Sequence, residues 1–177
     1  MLHCACSVRA QAFPVAESAT TAASYRGLAF GATAVVVALD QLTKQWALSA
    51  LATDPIPVVG SLNLTLVYNS GVAFGLGSGG GWTGVIVVVG LALMGGVAVL
   101  AWRADNRRRA LGLGIILGGA LGNMVDRAFR AGDGFLSGQV VDFVDLGWWP
   151  VFNLADAALW IGIGLLVLSA GGVVERA

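Results

Sequence analysis

The side chains in this sequence that are able to do chemistry are acids and amides, and they fall in a few tight groups. Asp40 and Lys44 stand i, i+4 inside an otherwise apolar run. Asn123, Asp126 and Arg127 close another such run, Asn153 and Asp156 open a third, and Asp142 lies shortly before it. Two carboxylates held close together cannot both ionise easily, so they share a proton and divide into a base and an acid. Such a pair can activate a water against an amide and protonate the leaving amine. The same pair can relay protons or hold a cation in a transporter, and residue type and spacing do not separate these possibilities. The one histidine, His3, lies in the N-terminal tail. A histidine-dependent hydrolase is therefore excluded, and no His-Glu-x-x-His pair exists for a zinc protease.

These residues have to be positioned by an unusually apolar chain. Of its 177 residues 57% are hydrophobic and 11% charged, against about 25% charged in a typical soluble domain. Mean hydropathy is +0.82. So little charge excludes most soluble enzymes, and so much apolar surface excludes disorder. Ten basic and ten acidic residues leave no net field to attract nucleic acid. The expected class is an all-α integral membrane protein with four transmembrane helices of about 20 residues each. The apolar runs cover about 28–51, 84–102, 110–129 and 151–171. Residues 1–26 read as a flexible cytoplasmic tail, 27–172 as the membrane domain and 173–177 as a second short tail. The loop from Arg103 to Arg109 holds four of the ten basic residues, while 54–81 and 131–150 hold none. The excess of positive charge places both termini and the 103–109 loop in the cytoplasm. With that polarity Asp40, Lys44, Asn123, Asp126, Arg127, Asp142, Asn153 and Asp156 converge at one depth near the outer face. Ionisable groups at such depth are costly and are functional candidates by default.

Each has a plainer reading. Asp40 and Lys44 can form a local ion pair. Asp126 and Arg127 are adjacent, point in different directions and suit a structural network tying helix ends. Asn123 and Asn153 can brace loops. Asp54, Asp133 and Asp145 lie among turn residues and read as solvated, and Trp148 and Trp149 as an interfacial aromatic belt. Gly118 and Gly122 form a small-xxx-small pair for close helix packing. Gly112 and Gly114 lack the third glycine of a dinucleotide fingerprint, because position 117 is leucine. His3, Cys4 and Cys6 crowd one terminus and make a poor metal site. A membrane scaffold remains a third possibility, against which the clustering of Asp and Asn at one depth argues.

Five blocks resemble one family, the bacterial lipoprotein signal peptidases (signal peptidase II). They are Asp40-Gln41-Leu42-Thr43-Lys44, Tyr68-Asn69-Ser70-Gly71-Val72-Ala73-Phe74, the Gly118–Arg127 segment, Val140-Val141-Asp142-Phe143, and Phe152-Asn153-Leu154-Ala155-Asp156. With the four apolar spans on which they lie, they cover about 27–172. The resemblance implies an intramembrane aspartyl endopeptidase whose catalytic pair is Asp142 and Asp156. It implies that Asp40, Lys44, Asn69, Gly71, Asn123, Asp126, Arg127 and Asn153 bind substrate or support the site, with Asp126 in the supporting network. It also implies a small extracytoplasmic β-cradle, for which the alternating Leu62, Leu64 and Leu66 suit a short strand. The implied substrates are prolipoproteins bearing a diacylglyceryl-cysteine, cleaved on the N-terminal side of that cysteine. Membrane lipid is the other partner, no metal or cofactor is required, and the location is the bacterial cell membrane with the site at its outer face.

Overall fold

The computed structural model describes residues 15–70, 82–130 and 136–174. Four helices and one three-stranded sheet follow the chain order α1 (Val15–Ala50), β1 (Ile56–Val59), β2 (Leu62–Asn69), α2 (Trp82–Trp102), α3 (Arg107–Phe129), β3 (Val140–Asp145) and α4 (Leu154–Val174). The apolar runs thus fold as the expected four helices, and Leu62, Leu64 and Leu66 lie on a strand. Three boundaries differ. Helix α1 begins at Val15, well inside the expected tail. Its early residues include Ala16, Ala19, Ala22 and Ala23, and alanine is the best helix former. Helix α4 continues to Val174. Asp142, expected in a loop, lies in β3.

Among the described residues no helix is long and apolar enough to cross a membrane, which departs from the expectation of four spans. Helix α1 carries Asp40 and Lys44, and α3 starts with Arg107, Arg108 and Arg109 and ends around Asp126 and Arg127. Apolar side chains stand on the outer surface of α1, α2 and α4. Val35, Leu39, Leu42, Val88, Leu93, Val99, Trp160, Ile163 and Val167 are all exposed.

Helix α3 is the centre of the bundle, packed most extensively against α4 and α1 and less against α2. Its glycines make this possible. A Cβ at Gly118 would meet Val36 Cβ at 2.6 Å, and one at Gly119 would meet the Ala155 carbonyl at 2.5 Å. The expected pair, Gly118 and Gly122, faces α1, where a Cβ at Gly122 would sit 2.5 Å from an Asp40 carboxylate oxygen. Glycine here lets polar side chains of α1 and the first turn of α4 reach α3. At the far end Ala29, Ala101, Ala104, Ala110 and Leu113 form a small buried core.

The sheet has the order β1-β2-β3, all antiparallel. It is tied to the bundle by Phe143, which packs with Ala47 of α1 and Leu51 just after it and meets the Trp46 ring edge-on at 6.3 Å. After β3 the chain makes a loop that closes on itself. Phe152 N donates to the Val144 carbonyl at 3.1 Å, and Val144 N donates to the Phe152 carbonyl at 2.8 Å. Asp145 Oδ1 accepts from Gly147 N at 2.7 Å, and Gly147 takes φ +80°, a conformation open mainly to glycine. Asp145 thus braces a turn rather than standing free in solvent. The closed loop brings Asn153, the residue opening α4, back beside Asp142.

Candidate active site

Asn153 precedes the first residue of α4, and its side chain does what an N-cap residue does. Its Oδ1 accepts from Asp156 N at 3.1 Å, while Asp156 Oδ2 accepts from Asn153 N at 3.2 Å. This reciprocal capping box satisfies two backbone donors and fixes Asp156 at the helix N-terminus, where the macrodipole favours a negative charge. The other end of the Asn153 amide reaches β3: Nδ2 donates to Asp142 Oδ1 at 2.6 Å. One buried asparagine therefore touches both carboxylates, although 14 positions separate them in the chain.

Further amides complete the arrangement. Val67 stands opposite Asp142 across the β2–β3 ladder, and side chains two apart on a strand share a face. Asn69 accordingly reaches Asp142 diagonally, its Nδ2 donating to Oδ2 at 3.0 Å. From α3, Asn123 Nδ2 donates to Asp156 Oδ1 at 2.8 Å. Burial pushes the Asp142 carboxyl up from 3.8 to about 6, and the charge of Asp156 adds to this. The hydrogen bonds from Asn69 and Asn153 and the charge of Lys44 oppose it.

Behind this pair lies a saturated ion network. Lys44 Nζ contacts Asp40 Oδ2 at 2.8 Å and Asp126 Oδ2 at 2.9 Å, and all three side chains are at most 1% exposed. Asp126 also accepts from Arg130 Nε at 2.8 Å, Gln41 Nε2 at 3.3 Å and Val141 N at 3.1 Å. Asp40 accepts from Ala155 N at 3.0 Å and Gln41 Nε2 at 3.1 Å. With four donors Asp126 has no free lone pair for a water, which fits a supporting role. Arg127 is half-buried and stands in the field of Asp142, Asp126 and Asp156, while its carbonyl accepts from Gly138 N at 3.0 Å. Gly71 falls outside the described residues, as do Asp133, His3, Cys4 and Cys6.

Asp40, Lys44, Asn69, Asn123, Asp126, Arg127, Asp142, Asn153 and Asp156 thus come to one end of the bundle. Sequence reasoning missed Arg130 and the bridging amide of Gln41. Arg130 was within reach, since it caps the C-terminus of α3 four positions after Asp126, the same spacing that paired Asp40 with Lys44. Gln41 gave no such signal, because its amide joins two helices through Asp40, Asp126 and the Gly122 carbonyl.

The family model described as signal peptidase (SPase) II matches residues 32–171, which include every residue of this site. The chain belongs to the signal peptidase II family. It is therefore a peptidase that removes the signal peptide from prolipoproteins. A lipoprotein signal peptidase of Mycobacterium avium (strain 104) is 48% identical over 141 residues, covering 76% of this chain and 74% of the relative. One of Rhodococcus jostii (strain RHA1) is 45% identical over 145 residues, covering 81% and 72%. A solved structure described as a bacterial membrane enzyme is similar over 93% of both chains, with a TM-score of 0.64 and 26% identity.

Proposed function

We propose that this signal peptidase is an aspartic endopeptidase of the bacterial cell membrane. It cuts on the N-terminal side of the cysteine that carries diacylglycerol, with Asp142 and Asp156 as the catalytic pair. The observation that carries the assignment is the Asn153 bridge between two carboxylates. Each takes one donor on each oxygen from Asn69, Asn123 or Asn153, which leaves lone pairs for a water and a proton. The rival carboxylates Asp40 and Asp126 are occupied by Lys44, Gln41, Arg130 and backbone amides.

In the proposed reaction the ionised carboxylate takes a proton from water as its oxygen bonds to the scissile carbonyl carbon. The protonated partner hydrogen-bonds the carbonyl oxygen and stabilises the charge developing there. Collapse of the tetrahedral intermediate breaks the C–N bond, and a proton from the pair goes to the leaving amine.

Membrane immersion is supported by the family, by the membrane enzyme of similar fold and by the exposed apolar belt around the helices. Arg26 lies at the end opposite the carboxylates, its Nε donating to the Trp102 carbonyl at 3.0 Å. The 14 helical residues from Arg26 to Asp40 span about 21 Å. That separation suits arginines at the cytoplasmic face and a dyad at the outer one, where a lipid-anchored cysteine would present its scissile bond. The test is incubation of detergent-purified protein with a diacylglyceryl-modified lipobox peptide in the presence of chelator. Scission before the cysteine is expected, and its loss on Asp142→Asn or Asp156→Asn. Appreciable cleavage by either variant would remove that residue from the catalytic pair.

A further inference from the structure

Lysine can only donate, through three protons. Lys44 Nζ meets three acceptors: Asp40 Oδ2, Asp126 Oδ2 and, at 3.0 Å, Asn123 Oδ1. Asn123 must therefore present its oxygen to Lys44, which turns its NH2 toward Asp156 Oδ1. The same oxygen accepts from Asn153 Nδ2 at 3.1 Å, which sets the second amide as well: NH2 toward Asp142, oxygen toward Asp156 N. One buried cation thus dictates which way two asparagines face. Were either amide reversed, a carbonyl oxygen would face a carboxylate, and that contact is favourable only if the carboxylate is protonated. The remaining charged groups near the pair are Asp40 on α1, Asp126 and Arg127 on α3, and Arg130 just after α3.

We infer that Lys44 is a positioning residue for catalysis: through Asn123 and Asn153 it keeps the amides facing the two carboxylates as donors, so that the pair holds a single proton, with Asp156 as the base and Asp142 as the acid. Asp156 takes the ionised role because it alone of the two sits in the capping box at a helix N-terminus. The inference rests on Asp142 and Asp156 being the catalytic pair.

The experiment uses the full chain in detergent and a diacylglyceryl-cysteine peptide as probe. Asp142→Asn and Asp156→Asn come first; turnover by either would sink the catalytic pair itself, separately from the role of Lys44. Next, Asp40→Asn with Lys44→Met removes the ion pair without changing net charge. We expect kcat to fall roughly 10- to 100-fold with KM within about twofold, and the acid limb of the kcat profile, which belongs to the pair as a whole, to move up by about one pH unit. Asn123→Leu, which leaves the Lys44 ion pairs in place, should move the limb similarly. Combining the changes should move it no further, because both cut the same connection. A wild-type limb in the folded Asp40/Lys44 variant, or additive shifts in the combination, would overturn the inference. If that variant does not fold, Asn123→Leu decides alone, and a wild-type limb there overturns it.

Discussion

Replacing Asp142 with asparagine removes a carboxyl that folding pushes from 3.8 to about 6, and the stability of the protein should respond with a definite sign. Between those two values the unfolded chain is ionised at this position while the folded chain keeps its proton. The folded state then binds more protons, so stability falls as pH rises. The loss begins near 4 and is complete above about 6. Two units at about 1.36 kcal/mol each give a loss on the order of 3 kcal/mol. For a chain of this size that corresponds to about 6–12 °C in Tm. Asparagine does not titrate, so Asp142→Asn lacks this slope. The new amide must also turn its NH2 away from Asn69 or Asn153, but that cost does not vary with pH and cancels from the comparison. Thermal unfolding of both proteins, followed by tryptophan fluorescence at one scan rate in one detergent from about pH 4 to pH 8, reads the effect. The Tm of the variant minus that of the wild type should grow by that amount across the range. Parallel curves would refute the claim that Asp142 is buried at a cost and keeps its proton up to about pH 6.

Asp126→Asn should lower Tm more than it lowers turnover, because it breaks contacts to Lys44 and Arg130 and leaves charge unpaired, at about 3–5 kcal/mol for a buried pair; a stable but inactive variant would instead assign Asp126 a catalytic role. Gly119→Ala should cost about 1–3 kcal/mol and reduce activity, since its Cβ would press on the carbonyl of Ala155, next to Asp156. Gly95→Ala, with open space around it, is the control and should hold or raise Tm. Asn69→Ala removes a hydrogen bond that holds the Asp142 carboxyl down, so the alkaline limb of kcat/KM, where the last proton of the pair is lost, should move to higher pH; an unmoved limb would separate Asn69 from the pair.

The helices were legible because apolar runs of about 20 residues announce themselves, and the convergence of the acids and amides because they sit in distinctive blocks. The short strand β3 was not. Val140, Val141, Asp142 and Phe143 are all buried, so the alternation that marks a half-exposed strand is absent. Nor did the sequence show that Asn153 would cap a helix and bridge two acids at once. Its capping role can be read from Asn-x-x-Asp before an apolar run, but the reach to Asp142 depends on the closed loop between Val144 and Phe152. The start of α1 was misjudged for a different reason: alanine-rich residues 16–23 carry helix propensity without the apolar density that marks a span.

The ion network deserves a reason beyond stability, since apolar residues of similar volume often hold a core as well as buried ion pairs do. Its contacts suggest one. Asp126 accepts from the backbone N–H of Val141, the residue before Asp142, and Asp40 accepts from that of Ala155, the residue before Asp156. Lys44 joins Asp40 and Asp126. A strand and a helix that share no continuous hydrogen-bonding pattern are thereby referenced to one ammonium group on a third element, each at the peptide next to its catalytic candidate. Apolar replacements could fill the same space but would leave those two peptides free to move relative to each other, and a displacement of about 1 Å is enough to cost a reaction 100-fold.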